Sequence, residues 1–249
     1  MSGISVEVRA GADVLGAGFF ILSDIVATAR HCLQDQLPEE PLSVKTEDGD
    51  VFAASVLSMV EEKDLALLQV SLPDTDVVSR ASLPALPYLE AQWRSPYIPA
   101  LDQVSIRGSI VHLHPQFACA YGGQLRASQL EARPSLDSYE GYSGSVIQLK
   151  TLTGPPVGMI IQEGHGAGSR ETLFAADMRE FVEAFDVLSD INVLDAELET
   201  HLSELGASVA REFGERFVVS GRAGGVLPGR IEAIVIQAIR RELNGQNDE

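Results

Sequence analysis

Apolar residues Ile4, Val6 and Val8 alternate with polar neighbours at period two, which predicts a strand at the start of the chain. Gly16 to Leu22 is a glycine-punctuated apolar run. Ser23-Asp24 interrupts it and Ile25 to Thr28 resumes it, the pattern of a tight hairpin that delivers the chain to Ala29-Arg30-His31-Cys32. Leu42 to Lys45, an Asp48-Gly49 turn and Val51 to Val60 predict further strands. The charged corner Glu61-Glu62-Lys63-Asp64 then feeds Leu65 to Val70, a short strand of the buried type. Residues 71–101, with Pro73, Pro84, Pro87, Pro96 and Pro99, read as a long connection. Strand signals return at Val104 to Val111, at Ala118 to Arg126 around a Gly122-Gly123 break, and at Val146 to Leu149. They continue at Val157 to Ile161 and, after a glycine-rich loop at 164–168, at Thr172 to Ala175. Many short strands with frequent turns predict a barrel or sandwich, and two similar halves joined by a connector predict two barrels.

From Asp177 the period changes. Met178, Phe181, Val182, Phe185 and Leu188 take helical spacing, as do Leu194, Leu198, Leu202 and Leu205, then Val209, Phe213 and Phe217. After a break at Gly221 to Gly225, Pro228 suits a helix first turn. Ile231, Ile234, Val235, Ala238, Ile239 and Leu243 form another apolar face. The expected organisation is a mainly β domain over residues 1–187, followed by a small α-helical domain over residues 188–249.

Composition narrows the partners. The 249 residues are 45% apolar, enough for a substantial core. The net charge of -18 repels phosphate backbones, so nucleic acid is not an expected partner. No apolar stretch reaches the roughly 18 residues of a membrane span. The N-terminus shows no signal-peptide pattern. Two cysteines, Cys32 and Cys119, cannot make a disulfide-dense domain, which points to a reducing, cytoplasmic home. His112-Leu-His114 places two rings on one strand face, but no third ligand is evident. Neither a metal nor a cofactor is expected.

The candidate chemistry sits in three fragments. Taken singly, His31 is an ordinary core histidine, Asp64 a corner carboxylate and Ser143 a turn residue. Together they supply what a nucleophilic serine needs: a base, a group that fixes the base's tautomer, and small residues whose N–H groups can meet an oxyanion.

In that order, the fragments resemble the motifs of trypsin-like (chymotrypsin-fold) serine peptidases. Ala27-Thr28-Ala29-Arg30-His31-Cys32 resembles the histidine motif, Asp64-Leu65-Ala66-Leu67-Leu68 the aspartate motif, and Gly141-Tyr142-Ser143-Gly144-Ser145 the serine motif. The resemblance covers about residues 1–187 and implies a double β-barrel. It implies a serine endopeptidase acting on protein or peptide substrates, with Ser143 as nucleophile, His31 as base and Asp64 as its orienting partner. The N–H groups of Gly141 and Ser143 would form the oxyanion hole. Ile161, Gln162 and Glu163 would line the substrate cleft. Asp137 and Ser138 would lie at the primary specificity pocket, where an aspartate selects Arg or Lys; an exposed loop carboxylate is the other reading of Asp137.

Two departures stand out. Tyr142 replaces the aspartate that pairs with a freed N-terminus in secreted members, so the secreted activation mechanism is not expected. The cysteine that usually pairs with Cys32 is also missing, which leaves Cys32 as a buried thiol. Residues 188–249 carry no chemical motif. By architecture they resemble modules that recruit effector proteases in bacterial signalling and defence, and a regulatory protein is the partner this implies. The alternative from another class is a peptide-binding pseudoprotease or adaptor.

Overall fold

A computed structural model describes residues 4–33, 41–73, 84–97, 99, 104–136, 138–150, 154–163, 172–191 and 193. The helical readings beyond residue 193 and the glycine-rich loop at 164–168 lie outside the described residues. Met1–Lys150 and Gly154–Leu194 form one compact unit.

The first half contributes β1 (Ser5–Ala10), β2 (Asp13–Phe20), β3 (Ile25–Ala29), β4 (Leu42–Thr46), β5 (Val51–Val60) and β6 (Leu65–Val70). They close into a barrel in the order β1-β2-β3-β6-β5-β4. The second half contributes β7 (Gln92–Arg94), β8 (Arg107–Ala118), β9 (Gln124–Arg133), β10 (Val146–Leu149), β11 (Pro156–Glu163) and β12 (Thr172–Asp177). These close in the order β10-β11-β12-β9-β8-β7, which read backwards repeats the order of the first barrel. The expected double barrel is therefore present.

Three strand readings need correction. The connection at 71–101 contains β7, whose Trp93 is fully buried and whose residues pair with both β8 and β10. The strand expected from Val104 begins at Arg107 instead and runs on to Ala118. The one starting at Gln124 continues through polar Ser128, Gln129 and Glu131 to Arg133.

The apolar runs explain which strands are covered on both faces. In β3, Val26 faces the first barrel's interior with Val6, Phe20 and Leu68, while Ile25, Ala27 and Ala29 join a second cluster shared with the other half. In β6, Ala66 and Leu68 take the interior, and Leu65 and Leu67 take the shared cluster. Burial on both sides is why these strands read as apolar runs interrupted only by Thr28 and Gln69, whereas β5 alternates.

Helix α1 (Met178–Ala184) starts where Asp177 caps it, accepting the Arg179 N–H at 2.9 Å. The helix packs Met178 and Phe181 into the shared cluster and buries one carboxylate, Glu180, to 2% exposure. Lys63 Nζ donates to Glu180 Oε2 at 2.6 Å, and the Arg126 backbone N–H donates to Oε1 at 3.0 Å. The Arg126 Nε lies 2.9 Å from the same oxygen but is not aligned for a hydrogen bond. One buried carboxylate thus ties α1 to the corner before Asp64 and to β9.

Glu180→Gln is expected to destabilise the fold by about 2 kcal/mol. That is below the 3–5 kcal/mol typical of breaking a fully buried pair, because the Lys63 and Arg126 side chains keep 26% and 30% exposure and can return to water. Urea unfolding checks this; an unchanged midpoint would show that the cluster adds nothing to stability.

Candidate active site

The pairing of β3 with β6 brings the first two site residues together. The ladder runs to Ala29↔Leu65, and one step further the Arg30 N–H donates to the Asp64 carbonyl at 3.0 Å. The chain then turns in a short 3-10 segment, Arg30–Leu33, that carries His31. On the other strand Asp64 adopts a left-handed conformation, φ 59°, at the end of the 3-10 turn Glu61–Lys63. Its side chain is 2% exposed and both oxygens are used. Oδ1 accepts the His31 backbone N–H at 2.8 Å, and Oδ2 lies 2.7 Å from His31 Nδ1. An ionised carboxylate only accepts, so Nδ1 carries the proton and Nε2 of the neutral ring keeps its lone pair.

Ser143 comes from two consecutive turns. The Tyr142 N–H donates to the Tyr139 carbonyl at 3.2 Å, and the Ser145 N–H to the Tyr142 carbonyl at 3.0 Å. Gly141 and Gly144 hold the third positions with φ of 86° and 85°, the signature of type II turns, in which glycine is required. The double turn is clamped between the barrels. The Ala17 N–H of β2 donates to the Ser143 carbonyl at 2.9 Å, and the Gly144 N–H donates to the Ile160 carbonyl of β11 at 2.9 Å. A Cβ on Gly144 would stand 2.0 Å from the Ala17 oxygen, so no other residue fits there.

His31, Asp64 and Ser143 line one cavity of about 260 Å³, together with Cys119, Ala120, Tyr121, Ile161 and Gln162. A larger cavity of about 340 Å³, lined by β1, β4 and Pro96–Tyr97, holds neither histidine nor cysteine. Among the described residues, the Gly141 and Ser143 N–H groups have no acceptor.

Ile161 and Gln162 line the same cavity as His31, Asp64 and Ser143. Glu163 is on the same strand, paired with Leu173, and its side chain is outside the described residues. Ser138 does not line the cavity; it is exposed and accepts the Glu140 N–H at 3.1 Å. Asp137 lies outside the described residues. Cys32 and Cys119 are both free and buried. Where Cys32 has no disulfide partner stands Gly16, whose Cβ would come within 2.5 Å of its sulfur. His112 and His114 stack edge-on at 4.4 Å on β8, and His114 Nε2 is 3.2 Å from Gln129 Oε1.

Sequence reasoning missed Cys119, Ala120 and Tyr121. The Tyr121 ring lies nearly parallel to His31, 16° between planes and 6.4 Å between centroids, with the Arg30 guanidinium 5.6 Å from its centre. The available signal was Gly122-Gly123: the Gly123 N–H donates to the Glu62 carbonyl at 2.9 Å, and a Cβ at Gly123 would meet that oxygen at 2.3 Å. That close approach seats the β8–β9 turn beside Asp64.

The comparisons with known proteins bear on the family and the fold. A model of the trypsin-like peptidase domain matches residues 16–148, more than half of the chain. No curated protein matches it in sequence. Among solved structures, an inactive-form mutant of Rv3671c from M. tuberculosis is similar at 19% identity and a TM-score of 0.57, over 75% of this chain and 86% of that one. The MamO protease domain of Magnetospirillum magneticum in its apo form aligns at 21% identity, TM-score 0.55, over 73% and 95%. The HtrA-type protease AlgW with a decapeptide aligns at 14% identity, TM-score 0.57, over 75% and 63%. The double barrel is therefore that of a serine endopeptidase in class. The chain belongs to the trypsin-like peptidase family.

Burial works against a charged His31 ring, but the Asp64 carboxylate hydrogen-bonded at Nδ1, with Cys32 beside it in sequence, outweighs it and raises the His31 pKa above the usual 6.5. Because the folded value is the higher one, His31 adds stability that is complete below about pH 6.5 and is lost as pH rises through the folded pKa. The NMR titration midpoint of His31 is expected above 6.5 in the wild type, and to fall in Asp64→Asn as the carboxylate is lost. A midpoint unmoved by that substitution would refute the assigned cause.

Proposed function

We propose that this protein hydrolyses peptide bonds by acyl transfer through Ser143, His31 and Asp64. The observation that supports it most is the His31 Nδ1–Asp64 pair at 2.7 Å sharing one cavity with Ser143. Nε2 of His31, left as the acceptor, takes the Ser143 proton as Oγ attacks the scissile carbonyl. It then returns that proton to the leaving amine, and a water repeats the sequence to release the acyl group. Asp64 holds the tautomer and stabilises the imidazolium. The free N–H groups of Gly141 and Ser143 serve the oxyanion.

The neutral ring is the active form, so activity rises with pH across the window in which the stability from His31 protonation fades. The substrate is a protein or peptide. AlgW has been solved with a decapeptide, which favours a peptide as substrate here too. Asp137 confers a preference for Arg or Lys before the scissile bond. Residues 188–249 act as a recruiting or regulatory module for a cytoplasmic effector protease, a reading supported by architecture alone.

A fluorophosphonate probe should label wild type at Ser143, with the adduct found on the Ser143 peptide. Ser143→Ala should lose the label and about five to six orders of magnitude in kcat. Folded wild type that resists the probe would instead mark a peptide-binding pseudoprotease.

Asp137→Ala should abolish the preference for Arg and Lys peptides over neutral ones; an unchanged preference removes Asp137 from the pocket. Deletion after Leu194 should leave peptide hydrolysis within about twofold, and a loss of folding would place the module in the core.

A further inference from the structure

Tyr142 is shared by the two turns, closing the first and opening the second. Its N–H is held by the Tyr139 carbonyl, and its own carbonyl is held by the Ser145 N–H. In a trans peptide the C=O and the next N–H point in opposite directions. Fixing the Tyr142 carbonyl therefore aims the Ser143 N–H the other way, where it has no acceptor among the described residues. The Gly141 N–H belongs to the central peptide of the first turn. Types I and II differ by a flip of that peptide, and φ of 86° at Gly141 marks type II. The direction of both free donors thus depends on how residue 142 is held.

What holds it is a side chain. Tyr142 is fully buried, and its ring meets Tyr139 edge-on at 6.1 Å. Its hydroxyl donates at 2.5 Å to the main-chain carbonyl of Val104, on the segment entering β8. We infer that Tyr142 is a positioning residue for catalysis: its bond to Val104 keeps the double turn in the form that aims the Gly141 and Ser143 N–H groups at one point. The inference rests on the oxyanion role proposed above. A glycine at the third position lets the peptide flip at small energetic cost, so an anchor outside the turn decides which form is populated. A neutral buried hydrogen bond is sufficient to shift that balance by up to about tenfold.

Tyr142→Phe, made in the full chain, keeps the ring and removes the donor. Its kcat should fall about tenfold with KM within twofold, and its affinity for a peptide boronate should fall by the same factor, because the interaction lost belongs to the transition state. A purely structural role would lower the unfolding temperature and leave boronate affinity and kcat of the folded enzyme unchanged. 4-Aminophenylalanine at position 142 restores a donor and should restore kcat even if the phenylalanine variant folds poorly. Wild-type kcat in Tyr142→Phe, a loss confined to KM, or no rescue by the amine overturns the inference. Fluorophosphonate labelling of the wild type separates the two levels: an unlabelled wild type sinks the proposed function, and a labelled wild type with an unaffected Tyr142→Phe sinks only the anchor.

Discussion

The Ala17 N–H to Ser143 C=O hydrogen bond is the point at which the two barrels become one site. Each barrel closes on itself, so nothing in its ladder fixes the serine relative to the histidine. The bond places the Ser143 backbone against β2, whose neighbour β3 runs directly into His31. Its approach is so close that Gly144 has no room for a methyl group. Thr28 on β3 adds a hydroxyl that donates to the Ala17 carbonyl at 2.7 Å, occupying the acceptor beside the clamp. Packing alone would tolerate small shifts between barrels; a directional backbone bond at 2.9 Å tolerates far less.

Around that bond the labour is divided by strand type. β3 and β6 are covered on both faces, and they carry His31 and Asp64 at their ends. The double turn has little regular structure. It is held instead by two internal hydrogen bonds, backbone bonds to β2 and β11, and an aromatic anchor. The histidine–aspartate pair is therefore a property of a ladder, and the serine a property of a loop held from several sides.

The sequence made the first of these far more legible than the second. Leu65–Val70 and Ile25–Thr28 announce themselves because double burial leaves a single polar residue in each, Gln69 and Thr28, too few to blur the pattern. His31, Asp64 and Ser143 each lie in a short local motif, so they could be singled out without knowing any distance. β7 was not, because Gln92-Trp93-Arg94 offers a single buried side chain and no period. The continuation of β9 was hidden by Ser128, which is polar yet 1% exposed, and by Glu131, which pairs with Arg133. Tyr121 and the Tyr142 anchor were invisible for another reason: each acts through a partner far along the chain, and no window of residues contains both.

The Glu180 cluster also sets an order in time. Synthesis delivers the barrel bearing His31 and Asp64 long before Glu180, the carboxylate that Lys63 contacts beside Asp64. Until β9 and α1 have emerged, the apolar face of β3 and β6 is uncovered and the corner at Lys63 is untied. The corner that carries Asp64 is therefore completed only after both barrels have been made, by a helix that follows the last strand of the second.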